Sequence, residues 1–129
     1  MRRVAIVGMA QTRYMPRLAD ENHQDIAYRV VGEVLAKAGL RRSDIEMVAN
    51  SGSDILDGRG ISTYTMLEVL GGRLKEETKI AEDGVCTAPY AWMRIAAGTF
   101  DLALVVAYGK SPESHPHWYH DMFLAPFYG

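Results

Sequence analysis

Short apolar runs alternate with longer amphipathic runs along this chain, and glycines mark most of the junctions between them. This alternation predicts an α/β fold in the order β-α-β-α-β-α-β, with a mostly parallel sheet and helices on both faces. The predicted strands are residues 3–8, 45–50, 79–83 and 102–108, and the predicted helices are residues 22–38, 61–70 and a third beginning near residue 86.

The first predicted helix has the clearest amphipathic period. Its apolar residues recur at steps of three and four, as expected for one face of an α-helix. Asp20 or Asn22 is suited to cap its start, and Gly39 is suited to end it. The apolar positions predicted to face the core are Ile26, Val30, Val31, Val34, Leu35 and Ala38.

The other two predicted helices follow the same local rules. Ser62 is the expected N-cap of the second helix, which a glycine pair at 71–72 ends. Residues 73–78 are charged and predict a surface connection. In the third helix we expect Pro89 in the first turn, where its missing N–H is harmless, and Gly98 as the stop signal.

The only cysteine, Cys86, stands where the third strand is expected to end and the third helix to begin. The aligned peptide dipoles of a helix leave partial positive charge at its N-terminus, which stabilises a thiolate. A thiolate is the nucleophilic form of cysteine. The alternative is that Cys86 is a small buried hydrophobic residue, which is common for a lone cysteine.

Composition limits the classes of function. The 129 residues are enough for one domain with a core, and the net charge of −2 predicts no general affinity for nucleic acid or acidic membranes. No apolar run approaches the roughly 20 residues that span a bilayer. One cysteine cannot form an internal disulfide, so a cytoplasmic location is expected.

Two other motifs are weaker evidence of function. The Gly8-Met9-Ala10 turn follows a predicted strand but lacks the further glycines of a dinucleotide-binding loop. His115, His117 and His120 form a cluster that could ligate a metal, or could lie on a solvated or partner-facing loop; we predict no metal site and leave their role open. Glu82 and Asp83 are expected at a solvated strand end.

Three blocks of sequence resemble the N-terminal part of thiolase-like proteins, especially the sterol-carrier-protein-type and archaeal acetyl-CoA acetyltransferase branch. They are VAIVGMAQT at the start, AGLRRSDIEMV after the first helix, and the Cys86 block continuing through AAGTFDLALVVAYGKS. The resemblance covers most of residues 3–114, so residues 1–114 are expected to form the thiolase-like segment. Residues 115–129 are expected to begin a loop region that is cut short.

The resemblance implies acyl transfer with coenzyme A thioesters, with Cys86 as the acyl-accepting nucleophile and no permanently bound cofactor. It implies a role in lipid metabolism. The family's remaining acid/base residues come from later motifs that this chain lacks, so another chain is expected to complete the fold. The resemblance also implies a homo- or hetero-oligomer, and an OB-fold and zinc-ribbon protein as a further partner.

Two departures from the family pattern keep alternatives open. The family places Asn-x-x-Cys before small residues and glycine, whereas this chain reads EDGVCTAPY. The chain also carries only an incomplete first half of the expected fold. The alternatives are a non-catalytic subunit or remnant that acts by protein association, and a retro-aldolase acting on a steroid-type acyl-CoA. The acyl substrate and the direction of reaction stay open.

Overall fold

The computed structural model describes residues 1–52, 62–81 and 84–110. Within these ranges the chain forms three α-helices, one short 3₁₀ turn and three parallel strands. The helices are α1 (His23–Ala38), α2 (Ser62–Leu70) and α3 (Gly84–Ala96), and the strands are β1 (Met47–Ser51), β2 (Glu76–Ile80) and β3 (Ala103–Ala107). The prediction of an α/β fold with a parallel sheet is confirmed.

The sheet has the order β2-β1-β3, so β1 is central and pairs with both neighbours. Its first residue, Met47, stands opposite Glu76 on one side and Ala103 on the other. All five β1 residues are buried. The chain therefore crosses from β1 to β2 through α2, and returns past β1 to β3 through α3.

Helices cover both faces of the sheet, as predicted. Adjacent strand residues face opposite sides, and the two sides form separate apolar clusters. Val48 packs in one cluster with residues of α1 and α2, whereas Met47 and Ala49 pack in the other with Ala91 of α3. The first face is therefore called the α1 face and the second the α3 face.

Local signals set the ends of α1. The Asn22 side chain accepts a hydrogen bond from the Asp25 backbone N–H at 2.9 Å, and Gly39 ends the helix with φ of 68°. The buried stripe of α1 is His23, Ala27, Val31 and Leu35, one residue per turn. Of the predicted core positions, Ile26, Val30, Val34 and Ala38 lie on the half-buried flank of that stripe.

The prediction that residues 3–8 form the first strand is wrong. The run forms no ladder with the described strands because its ends contact helices and not a strand, and Ile6 is 82% exposed. It follows the free edge of β3 instead. The Arg2 N–H bonds the Ala96 carbonyl at the end of α3, and Gly8 packs against Val34 of α1. These two contacts anchor the ends of the run, while most of its residues stay exposed.

Further boundaries also differ from the sequence predictions. Strand β2 is Glu76–Ile80, so half of the predicted charged connection at 73–78 is strand, and the predicted strand at 79–83 begins three residues too late. Helix α2 begins at Ser62 itself, which therefore lies in the helix instead of preceding it. Strand β3 is confirmed within one residue at each end.

Candidate functional site

The carboxyl ends of the three strands form one edge of the sheet, and α3 begins at this edge. Strand β2 ends at Ile80 and α3 starts at Gly84. Cys86 is the third residue of this 13-residue helix and therefore lies within its first turn. The prediction of a helix N-terminus at Cys86 is confirmed to within two residues. The positive end of the helix dipole lies at this turn.

Cys86 is exposed to solvent, which contradicts the alternative that it is a buried structural residue. The buried positions of α3 are Thr87, Ala91 and Ala96, and Cys86 lies just beside this stripe. No acidic residue lies in the first helical turn. A reagent approaching from solvent therefore reaches the sulfur without displacing the core.

The outer side of α3 is largely apolar. Val85, Trp92 and Met93 are exposed there, Val85 by 78% and Met93 by 52%. Arg94 is the only charged residue of the helix. A helix that is apolar around most of its circumference is normally buried in a larger structure. The thiol therefore lies at one end of a surface patch, defined by Val85, Trp92 and Met93, that is suited to being covered.

Side-chain contacts hold α3 to the sheet at both ends. At its start, a Cβ on Gly84 would lie 3.1 Å from the Ala107 Cβ, so the absence of a side chain permits this close approach. Toward its end, Arg94 pairs with Glu76 at 2.7 Å, and its guanidinium lies 5.2 Å from the centre of the Phe100 ring. These contacts fix the direction of the helix and with it the position of Cys86.

Pro89 is not in the first turn as predicted but is the sixth residue of α3. At this position it cannot donate the usual N–H bond to the carbonyl of Val85, four residues earlier. Pro89 and Ala88 are exposed, so this turn of the helix faces water. The prediction is wrong because α3 begins at Gly84, before the cysteine.

Two buried polar residues at the end of β1 were not identified from the sequence. Asn50 and Ser51 are fully buried. Asn50 Nδ2 donates to Glu77 Oε1 at 2.9 Å, while Asn50 Oδ1 and Ser51 Oγ have no hydrogen-bond partner among the described residues. Ser51 faces the α3 side beside Ala107, which contacts Gly84. The signal available in the sequence was the pair of polar residues closing an apolar run.

Several predicted features lie outside the described residues. These are Glu82 and Asp83, the cluster of His115, His117 and His120, and the whole predicted loop region at 115–129. In the described part of the chain, no group of three or more His, Cys, Asp or Glu side chains is placed to hold a metal ion. None of the described helices is both long and apolar enough to cross a bilayer.

Comparison with models of known protein families found no match for this chain, and a search of curated proteins also found none. The case for a function therefore depends on the residues and on their geometry.

Proposed function

We propose that this chain is a thiolase-like acyltransferase component in which Cys86 accepts an acyl group from a coenzyme A thioester. The observation that carries the proposal is the exposed thiol within the first turn of α3, at the carboxyl edge of a parallel sheet. Ligand sites of open α/β sheets lie at this edge. The three sequence blocks that resemble thiolase-like proteins supply the substrate class.

The proposed reaction is a thioester exchange. The Cys86 thiolate attacks the carbonyl carbon of the acyl-CoA, forming a C–S bond and a tetrahedral oxyanion. Collapse of that intermediate breaks the bond to the coenzyme A sulfur, which leaves as a thiolate and takes up a proton. The acyl group remains on Cys86 as a new thioester, ready for transfer to a second substrate.

The proposal includes a second chain that completes the site. Positioned donors are needed for the oxyanion, and a proton donor is needed for the leaving thiolate. The resemblance implies that these groups come from later parts of the fold. The patch of Val85, Trp92 and Met93 beside the thiol supports this arrangement, because exposed apolar patches mark interaction surfaces.

The test is acyl labelling of a protein that has one cysteine. The purified protein, alone and with any co-purifying chain, is incubated with acetyl-CoA and with longer acyl-CoAs, and intact mass is measured. The expected result is one acyl group per chain, lost in Cys86→Ala and retained in the neighbouring control Ala88→Ser. Labelling that persists in Cys86→Ala would overturn the role of Cys86.

A second measurement separates an activated thiol from an ordinary one. As an acyl-accepting nucleophile, Cys86 should react with iodoacetamide at pH 7 faster than glutathione does. Alkylation at or below the glutathione rate, together with absent acyl labelling, would favour the non-catalytic alternative. The retro-aldolase alternative needs a separate assay, in which a β-hydroxylated steroid-type acyl-CoA is incubated with the protein and its cleavage to a carbonyl compound and a shorter acyl-CoA is measured.

A second candidate function is protein association without catalysis, and the apolar outer side of α3 favours it. Its test is the native mass of untagged protein isolated from its source. A second polypeptide in the complex that is lost in Met93→Glu but retained in Cys86→Ala would support association through α3. If that complex also fails to label at Cys86, association alone is the better description.

A further inference from the structure

A groove of about 1360 Å³ lies between the start of the chain and strand β3. Residues 3–11 form one wall and residues 101–107 form the other. At the rise of a β-strand, the wall at 101–107 is about 23 Å long. This space, called the β3 groove below, is therefore long enough to hold an extended segment of about seven residues.

The backbone of β3 is paired on one side only within the described residues. Its ladder runs to β1, and no described backbone group bonds its outer edge. An edge strand of this kind presents a row of N–H and C=O groups with which another strand can pair. The opposite wall, residues 3–8, belongs to no sheet ladder. A segment in the β3 groove can therefore pair with β3 along its length.

Apolar side chains bound the β3 groove on both faces of the sheet. Val34 of α1 lines it on one face, and Trp92 and Ile95 of α3 line it on the other. Charged residues are few in the lining, and two of them, Glu33 and Lys37, pair with each other at 2.6 Å. A strand placed here is covered on both faces, and strands in that environment are apolar on both faces.

The chemistry of the walls favours a peptide over a lipid. A hydrocarbon chain fills apolar space, but it leaves the outer N–H and C=O groups of β3 without partners once water is excluded, which costs free energy. An extended peptide supplies those partners and apolar side chains together. The edge of a second folded sheet fits less well, because the run at 3–8 stands in front of β3.

We propose that the β3 groove takes one strand, apolar on both faces, from the second chain of the proposed function. The inference rests on the two-chain arrangement proposed above and names the place where that chain enters the fold. Trp92 belongs both to the groove and to the patch of Val85, Trp92 and Met93, so the two surfaces are continuous. The sequence beyond residue 110 matches such a strand less well, because two histidines and an aspartate lie between Pro116 and Pro126.

The test is photo-cross-linking from inside the β3 groove. Ile6 lines the groove and is 82% exposed, so p-benzoylphenylalanine in its place should leave the fold intact. The untagged full chain carrying this group is produced in its source and irradiated, and mass spectrometry identifies the cross-linked peptide. The expected product is an apolar segment of a second polypeptide.

The matched control carries the same group in place of Tyr64, which is 80% exposed and does not line the groove. This control should not give the product seen from position 6. A cross-link from position 6 only to this chain's own sequence, or the same product from both positions, would overturn the proposal.

Hydrogen exchange measures whether the inserted segment pairs with β3. In the complex isolated from its source, the β3 amides that do not bond β1 should exchange about tenfold or more slowly than in the chain purified alone. Ile6→Glu places a charge in the groove and should lose both the second chain and this protection while circular dichroism stays unchanged. Tyr64→Glu should retain both. Unprotected β3 amides in the complex, or equal losses in the two variants, would contradict strand insertion.

Failure of this inference and failure of acyl transfer are separate outcomes. Cys86→Ala leaves the walls of the groove unchanged, so it should give the wild-type cross-link and the wild-type protection. Acyl labelling of Cys86 without the cross-link from position 6 would overturn the groove assignment alone, whereas the cross-link without labelling would overturn only the catalytic role. Protein isolated from its source without a second chain would also overturn the groove assignment.

Discussion

Asn50 and Glu77 form a hydrogen bond between neighbouring strands, Nδ2 to Oε1 at 2.9 Å, on the α1 face of the sheet. Burial raises the pKa of Glu77 above its usual value, and the hydrogen bond from Asn50 opposes that rise. Asn50 lies on the fully buried central strand, whereas Glu77 lies on the edge strand β2 and is half-buried. The ionised form of Glu77 is therefore disfavoured in the folded protein.

Glu77→Gln is expected to stabilise the protein at pH 7. A raised pKa means that the folded state binds the proton more tightly, so the wild type loses stability as the pH rises from the ordinary carboxyl pKa of about 4.3 through the raised value. Glutamine is neutral throughout and keeps an oxygen for Asn50. The stability difference, measured by urea unfolding, should grow from pH 4 to pH 7.

Glu33→Gln is the control for this pH dependence. The hydrogen bond from Lys37 lowers the pKa of Glu33, so its stabilising effect is lost as the pH falls through that lowered value. The stability difference between Glu33→Gln and the wild type should therefore change with pH in the direction opposite to that for Glu77→Gln. Parallel trends in the two variants would contradict the assignment of burial as the cause at Glu77.

Gly32→Ala and Gly39→Ala should have opposite effects on stability, although both change glycine to alanine near α1. Gly32 lies inside the helix with nothing within 4 Å of an added Cβ, so alanine should stabilise by up to about 1 kcal/mol. Gly39 has φ of 68°, where a side chain costs about 1–2 kcal/mol. Thermal unfolding of both variants measures the difference, and equal shifts would contradict the cap assignment.

Leu70→Ala should destabilise by about 2–5 kcal/mol, because Leu70 is fully buried at the end of α2 and its removal leaves a cavity. Leu74→Ala is the matched control, since Leu74 is 98% exposed. Its unfolding free energy should change by less than about 0.5 kcal/mol. Similar losses in the two variants would show that α2 does not pack on the sheet as described.

Arg94→Ala tests what orients α3. The variant loses the half-buried pair with Glu76 and the stacking on Phe100, together worth about 1–2 kcal/mol. Arg73→Ala, which removes an exposed pair with Glu68 at 3.8 Å, should change stability by less than about 0.5 kcal/mol. The alkylation rate of Cys86 should change in the first variant only.

The features that were predicted correctly from the sequence are those that depend on contacts between residues close together in the chain. Asn22 and Gly39 cap α1 through contacts within a few residues, so its ends could be predicted without knowledge of the fold. Cys86 was placed at a helix N-terminus for the same reason. Its exposure could not be predicted, because exposure depends on which side of α3 meets the sheet.

The errors have tertiary causes. Strand β2 was placed too late because it opens with Glu76 and Glu77, and charged residues are typical of edge strands but break an apolar pattern. Residues 3–8 have a strand-like composition, but a strand also needs a ladder to a neighbouring strand, and the contacts of this run go to α3 and α1 instead. The burial of Asn50 and Ser51 likewise follows from the central position of β1.

The segment along the edge of β3 also affects the order in which contacts can form during synthesis. Arg2 pairs with Asp101, ninety-nine positions later in the chain. Arg2 is therefore synthesised well before its partner, and it cannot make this contact until the end of α3 and the start of β3 have been made. Until then the run at 3–8 lacks its anchor on α3, and a nascent chain of this sequence should depend on chaperones most strongly during that interval.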